Sequence, residues 1–388
     1  KEDLRQIPNK GIGYGALIGY RSGVESRLQL QQHTLPRISF NYLGQFGKED
    51  KLQSSQVQTS FWNIVSEGSG ISMHSDNQDY NIININGMVI DNELKFSIAS
   101  KLDESVTNKI AEVFKQKLEE IITHTVNQTR NYLTASDIDN IISQEHLNKL
   151  QEPREIEGVY LANSLQQGFI YHALNQGDID DAYLVQSIWQ YNNELDISKL
   201  KEAWSYAQRR FSSLRLRLGW QEELIQIIDK EGNLDWRYID LTKEQQYTET
   251  QELKIKEIQE EDRLESYNLE QGNLFRIYII KQRKDLYTCI FSSHHAILDG
   301  WSNPVLLNYV HETYLKLQDK VAVALSVDHS YEYAQKYLQD HQYDNKDYWD
   351  KYISQIEEHS DLSGLLSNAN RNNHLIISEY KHIIDPQE

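Results

Sequence analysis

Two adjacent histidines, with an aspartate four residues further on, give the chain its clearest chemical signal. They lie in Phe291-Ser292-Ser293-His294-His295-Ala296-Ile297-Leu298-Asp299-Gly300-Trp301-Ser302. Imidazole changes charge near neutral pH and can take or return a proton in a reaction. The preceding segment, Leu286 to Phe291, is apolar and β-rich. Strand side chains alternate faces, so His294 and His295 are expected to point in opposite directions. One can look into a cavity while the other packs behind the sheet. Asp299 falls in the turn beyond, where its carboxylate can steady an imidazole. Gly300 removes the Cβ where backbone must bend or approach a ligand closely. The group suits a positioned acid or base.

Other chemistries fit less well. A His-His pair can simply be a satisfied core or surface pair. Adjacent strand residues cannot easily reach one ion, and no cysteine or third histidine stands at ligand spacing, so no metal is expected. A serine nucleophile would need the Gly-x-Ser-x-Gly elbow, which the chain lacks. Gly11-Ile12-Gly13-Tyr14-Gly15 is glycine-dense, but it is neither G-x-G-x-x-G nor a phosphate loop, and no strand precedes it. It reads as a tight structural loop.

Composition narrows the class. At 388 residues the chain suggests two domains. Hydrophobic residues at 39% and charged residues at 25% are ordinary for globular protein. A formal charge of −19 argues against a binder of nucleic acid or of an anionic membrane. A single cysteine, Cys289, permits no disulfide framework and fits a reducing, cytoplasmic setting. Its place in an apolar strand predicts burial. No signal peptide and no apolar run of bilayer length is evident. The chain begins Lys1-Glu2-Asp3 and reads as a piece of something longer.

The elements that must position the histidines follow from periodicity. Leu274 to Ile280 and Leu286 to Phe291 form a strand pair ending at His294. A helix is expected near Asn303-Pro304, where proline is tolerated in the first turn, with Leu306, Leu307, Val310 and Tyr314 facing the core. Upstream, Tyr183 to Tyr191 reads as a strand. Asp196 can cap a helix to about Phe211 whose apolar face is Leu200, Trp204, Ala207 and Phe211. Leu214, Leu216 and Leu218 alternate with Arg215 and Arg217 as a half-buried strand. Tyr160 to Leu174 is a capped helix entry. In the first part, Pro36 to Phe46 reads as a strand ended by Gly44. Tyr80 to Val89 and Leu94 to Ile98 form a hairpin around Asp91-Asn92. Val106 to Val126 spaces Ile110, Val113, Phe114, Leu118, Ile121 and Ile122 as a packed amphipathic helix. Residues 133–157 are polar around a short helical patch at Leu147 and Leu150, and Pro153 interrupts them, so they read as an interdomain linker.

The histidine stretch resembles the HHxxxDG signature of nonribosomal peptide synthetase condensation domains. Ser164-Leu165-Gln166-Gln167-Gly168 resembles that family's first motif, of SxxQxG form, with Gln167 assigned to it. Arg210-Phe211-Ser212-Ser213-Leu214-Arg215 resembles the second, RHxxLR, with Phe211 replacing the histidine. There Arg215 is expected to brace structure. Tyr331-Glu332-Tyr333-Ala334 and Tyr348-Trp349 partly resemble the fourth and read as aromatic helix-packing positions. Upstream, Pro8-Asn9-Lys10-Gly11-Ile12-Gly13-Tyr14-Gly15 and Phe40-Asn41-Tyr42-Leu43-Gly44-Gln45-Phe46 resemble the last two core motifs of epimerization domains. There Gly13, Tyr14, Gly15, Asn41, Tyr42, Gly44 and Gln45 are the motif residues.

The resemblance implies an α/β fold of chloramphenicol acetyltransferase-like lobes, mixed sheets flanked by helices, with both domains incomplete. Residues 1–132 would be the C-terminal part of an epimerization domain, 133–157 a linker, and 158–388 the N-terminal half of a condensation domain joining a D-configured donor to an L-configured acceptor. It implies amide formation between substrates held as phosphopantetheine thioesters on upstream and downstream carrier domains, with adenylation domains in the same polypeptide and no cofactor bound directly. His295 would be the tunnel-facing histidine, deprotonating the acceptor amine or orienting it. The Gly300 amide would help position the oxyanion or thioester, His294 and Asp299 would support structure, and Trp301 and Ser302 would line the substrate tunnel. By itself the chain would be inactive in both reactions. A carrier-recruiting module of the same fold and a coenzyme A-dependent acyltransferase are the competing classes.

Overall fold

The computed structural model describes residues 1–19, 35–46, 74, 76–77, 80–90, 92–175, 182–242 and 248–356. Asp91 of the expected hairpin turn and residues 357–388 of the second domain lie outside the described residues. The chain divides into two compact units, Lys1–Glu155 and Ile156–Glu388.

In the first unit, α1 (Glu2–Arg5) is followed by a tight turn and α2 (Ile12–Gly19). The expected loop at Gly11–Gly15 is therefore confined to its beginning. Asn9, Lys10 and Gly11 take positive φ, and the chain then winds into helix through Gly13 and Gly15. Strands β1 (Ile38–Phe46), β2 (Ile83–Ile90) and β3 (Glu93–Ser100) form one sheet, with β1 parallel and β3 antiparallel to β2. Gly44 does not end its strand. It lies inside β1 at φ 93°, where the register with β2 shifts between Tyr42 and Gln45. Helix α3 (Glu104–Val126) has the predicted span but not the predicted burial. Phe114 meets Phe96 edge-on at 5.0 Å, while Val113, Ile121 and Ile122 are 46–60% exposed. Residues 133–157 hold a 3-10 turn capped by Thr134 and then α4 (Gln144–Gln151), whose Leu147 and Gln151 are fully buried.

The second unit carries two sheets. One is β4 (Ile156–Leu161), β7 (Ile225–Asp229) and β6 (Leu216–Gly219), antiparallel throughout. The other has the order β5 (Leu184–Tyr191), β10 (Leu286–His294), β9 (Phe275–Arg283), β8 (Asp235–Asp240), with β8 and β9 parallel. Helices α5 (Ser164–Asn175), α6 (Ile197–Arg210), α7 (Thr248–Leu264), α8 (Ser302–Gln318), α9 (Ser330–Asp340) and α10 (Lys346–Ile353) complete it. Asp196 caps α6 as expected, its carboxylate accepting from the Lys199 amide at 3.2 Å.

Alternation along β10 sorts its side chains. Tyr287, Cys289 and Phe291 join the main core with α6 and α8, where Trp204 stacks on Phe291 at 5.2 Å. Ile290 faces the other way, toward Ile258 of α7. The strand that delivers the histidines is thus covered on both faces. Cys289 is fully buried, which pushes its thiol pKa well up. In α8, Leu306, Val310 and Tyr314 are buried as the spacing predicts, while Leu307 is only partly buried against the same core.

The strand through Arg215 and Arg217 is fully buried rather than half-buried, and this requires charge pairing. Arg217 Nε meets Asp229 at 3.0 Å. Arg215 ends in a 3-10 turn, where it pairs with Glu157 at 2.5 Å and donates to the carbonyls of Gln208, Asp229 and Lys230. Below the histidines, Asp262 accepts from Arg276 Nε at 2.7 Å, from Gln186 at 2.7 Å and from Tyr278 at 3.1 Å. Asp262 and Arg276 are almost wholly buried, so removing one partner strands a charge. Asp262→Ala is expected to cost about 3–5 kcal/mol in chemical denaturation. Adding Arg276→Met in that background should recover a large part of the loss.

Candidate functional site

The histidines sit where β10 leaves the sheet. The His294 N–H donates to the Leu274 carbonyl and the His295 N–H to the Tyr183 carbonyl, each at 2.9 Å. These bonds tie the end of β10 to residues flanking β9 and β5. The chain then turns through Ala296, Ile297 and Leu298, all buried in the main core.

This turn makes the two imidazoles chemically different. His295 Nδ1 lies 2.8 Å from the Leu298 carbonyl. A carbonyl only accepts, so Nδ1 carries the proton and neutral His295 keeps its lone pair on Nε2. His294 Nδ1 lies 3.0 Å from the Ala296 backbone N–H. An N–H only donates, so His294 Nδ1 is the acceptor and the ring's proton is on Nε2. His295 is exposed and His294 half-buried. The two rings differ in exposure as expected, but they do not part to opposite faces of the sheet, since the Phe169 ring meets His294 at 5.6 Å and His295 at 6.1 Å.

The turn carboxylate does not steady His295, contrary to expectation. Asp299 Oδ1 accepts from the Ser302 N–H and the Ser302 hydroxyl, both at 2.7 Å. These bonds close the turn from Asp299 to Ser302 that leads into α8. The Ser302 hydroxyl, then the Ser302 amide, hold the Asp299 carboxyl below its ordinary pKa of 3.8. The Leu298 carbonyl takes the role assigned to the aspartate. Of the two reasons expected for Gly300, the bend is not one, because its φ is not positive and an added Cβ would meet no protein atom within 4 Å. The bend does not require glycine.

Trp301 is 88% exposed. With Ser302 it lines a cavity of about 390 Å³ whose wall also includes Phe211, Ser213, Leu298 and Tyr331, but not the histidines. The cavity brings together the turn after His295, the segment from Phe211 to Leu214 and the start of α9. Arg215 does not line it, and its guanidinium is taken up by Glu157 and by the carbonyls of Gln208, Asp229 and Lys230. Gln167 is exposed and donates to the Ala162 carbonyl at 2.9 Å, starting α5. Its neighbour Gln166 is the buried one, donating to Gln226 at 3.2 Å and to the Tyr331 hydroxyl at 3.3 Å. Burial pushes the Tyr331 pKa up to about 12. Tyr348 and Trp349 do not pack into a core. They are 61% and 53% exposed and meet each other edge-on.

The upstream motif residues belong to the first unit. Gly13, Tyr14 and Gly15 lie on α2, and Asn41, Tyr42, Gly44 and Gln45 on β1. Among the described residues no group of three or more His, Cys, Asp or Glu could hold a metal ion, and no helix is long and apolar enough to cross a membrane.

Several residues around the pair carry no mark of that place in the sequence. Phe169 of α5 stacks on His295 at 6.1 Å and meets His294 edge-on at 5.6 Å. Tyr183 and Tyr267 flank His294 at 6.1 and 6.3 Å. Tyr267 donates to Ser292 at 3.1 Å and lies 4.1 Å beneath the Arg276 guanidinium.

Because the folded-state pKa of Asp299 is depressed, its contribution is present above pH 3.8 and lost as pH falls through the lower folded value. The stability gap between the wild type and Asp299→Ala should therefore narrow on acidification below pH 4. A gap in melting temperature that stays constant down to the acid limit would contradict this role.

Comparison with known proteins places the chain. The condensation-domain family model matches residues 156–378, more than half of the chain. N-(5-amino-5-carboxypentanoyl)-L-cysteinyl-D-valine synthase of Amycolatopsis lactamdurans is 43% identical over 224 residues, which is 58% of this chain and 6% of that protein. Bacitracin synthase 3 of Bacillus licheniformis is 29% identical over 375 residues, 94% of this chain and 6% of that protein. The chain thus spans about 6% of the length of these relatives. Among solved structures, the starter condensation domain of rhizomide synthetase RzmA aligns with a TM-score of 0.45 at 16% identity, covering 52% of this chain and 51% of that one. Mixed sheets flanked by helices and the family match agree: the chain belongs to the condensation-domain family of nonribosomal peptide synthetases.

Proposed function

We propose that the unit from Ile156 onward is the amide-forming part of a nonribosomal peptide synthetase, working in the cytoplasm on substrates presented by carrier domains. The observation that carries this reading is the fixed tautomer of His295. Its Nδ1–H is spent on the Leu298 carbonyl, so the exposed imidazole offers an acceptor nitrogen at Nε2. An acceptor's α-amine is the group such a nitrogen can receive.

In the reaction proposed, that amine attacks the carbonyl carbon of the donor thioester. The C–N bond forms, and the tetrahedral oxyanion collapses with loss of the C–S bond. The amine proton passes, through His295 or solvent, to the leaving thiolate of the phosphopantetheine arm. His295 Nε2 either takes that proton or orients the amine by accepting its hydrogen bond. The Gly300 amide lies in the same turn and would donate to the oxyanion or thioester, where a preorganised backbone N–H is worth most in a dry site. Trp301 and Ser302 would line the channel through which the arm reaches the histidine.

Residues 1–132 are assigned to the end of an epimerization domain and 133–157 to the join. Two motif-like segments in family order support that assignment, and the alignment with bacitracin synthase 3 over 94% of the chain supports a first unit that is also part of a synthetase. An epimerase immediately upstream supports a D-configured donor and an L-configured acceptor. Upstream and downstream carrier domains and an adenylation domain in the same polypeptide complete the machinery.

The test uses the synthetase that carries this chain. Carrier-loaded D- and L-aminoacyl donors are offered with an L-aminoacyl acceptor, and the dipeptidyl thioester is followed by mass. The D-donor should be preferred, and His295→Ala should lower turnover by at least about 100-fold. Equal use of both donors would remove the chirality assignment. Wild-type turnover in His295→Ala would sink the role of the histidine, and carrier binding without dipeptide from either donor would favour a recruiting module.

A further inference from the structure

A histidine that receives the amine needs its ring plane held. One bond to a carbonyl fixes which nitrogen is protonated but still permits the ring to rock. The side chain that limits this comes from another element. Helix α5 starts with a reciprocal cap, in which the Asn163 amide donates to the Gln166 side chain and the Gln166 amide to the Asn163 side chain, both at 3.0 Å. Gln166 is then buried against Gln226, which fixes the phase of the helix. That phase turns Phe169 and His172, one helical turn apart, toward the end of β10.

Phe169 there makes three ring contacts. It lies edge-on to Tyr183 at 4.7 Å and to His294 at 5.6 Å, and it is stacked on His295 at 6.1 Å with 26° between the planes. Tyr183 is held in turn by His172 at 4.8 Å, and its own carbonyl accepts the His295 N–H. Tyr267 closes the far side of His294, carried by the Arg276 guanidinium. Phe169 is thus the one ring in contact with both histidines among the described residues.

We propose that Phe169 is a positioning residue for His295: its ring, wedged against both imidazoles, holds His295 in the rotamer that keeps Nδ1–H on the Leu298 carbonyl and Nε2 outward. This rests on the functional reading of His295 given above. Stacking of flat rings is offset and directional, so an aliphatic side chain of similar volume would fill the space without fixing the plane.

The test reads the tautomer directly in the whole chain labelled with 15N-histidine. Long-range proton–nitrogen correlations are recorded, and His295→Gln assigns the signals. Wild-type His295 should show a protonated Nδ1, an unprotonated Nε2 and ring protons displaced upfield by Phe169. In Phe169→Leu the two nitrogens should move toward a common averaged shift and the upfield displacement should vanish, while Phe169→Tyr keeps the wild-type pattern. Retention of that pattern in Phe169→Leu overturns the proposal. If the leucine variant does not fold, Phe169→Met carries the same expectation. In the synthetase, Phe169→Leu should lower kcat about 10-fold with the acceptor KM nearly unchanged, and Phe169→Tyr should restore it. The spectrum reports on positioning and the kcat on the role of His295, so the two readings fail separately.

Discussion

The hydrogen bond from His295 Nδ1 to the Leu298 carbonyl is the constraint on which the site depends. It exists because the turn between the two residues is driven into the core. Ala296, Ile297 and Leu298 are each less than 10% exposed, and burying apolar side chains of this size is worth a few kcal/mol in all. That burial fixes the backbone, the backbone aims the carbonyl, and the carbonyl sets the tautomer. A hydrophobic term thereby decides a protonation site.

The layers around the turn keep this arrangement stiff. Strand β10 is covered by α6 and α8 on one face and by α7 on the other. Trp204 locks the first interface, and the Asp262–Arg276 pair sets its guanidinium over Tyr267, which borders His294. The ionic and aromatic groups are serial: Asp262 holds Arg276, Arg276 lies over Tyr267, and Tyr267 meets His294. Buried charge here adds little net stability but leaves few alternative positions for the rings above it.

How much of this the sequence discloses depends on where the information is stored. The strand pair, the capped α6, the buried face of α8 and the contrast between the two histidines are legible because periodicity and side-chain type carry them. Roles held by backbone are not. The Leu298 carbonyl has no letter of its own, so the carboxylate of Asp299 is the natural but mistaken choice for the partner of His295. Gln166 and Gln167 are identical in type, and only the cap at Asn163 shows which one is buried. Helix α3 has a correct apolar period yet packs little of it, since period reports which face could be buried and not what covers it. Phe169 lies more than a hundred residues from the histidines it touches, and nothing local marks it.

The two imidazoles are neighbours of the same residue type, yet they hold their protons on opposite nitrogens, and no side chain of the intervening turn takes part in either bond. One is set by the amide of Ala296, the other by the carbonyl of Leu298. This gives the three residues between His295 and Asp299 a meaning that their side chains do not state. The side chains of Ala296, Ile297 and Leu298 are apolar and fill the core. The peptide groups at those places are as specific as the histidines, written in a script that an alphabet of side chains does not contain.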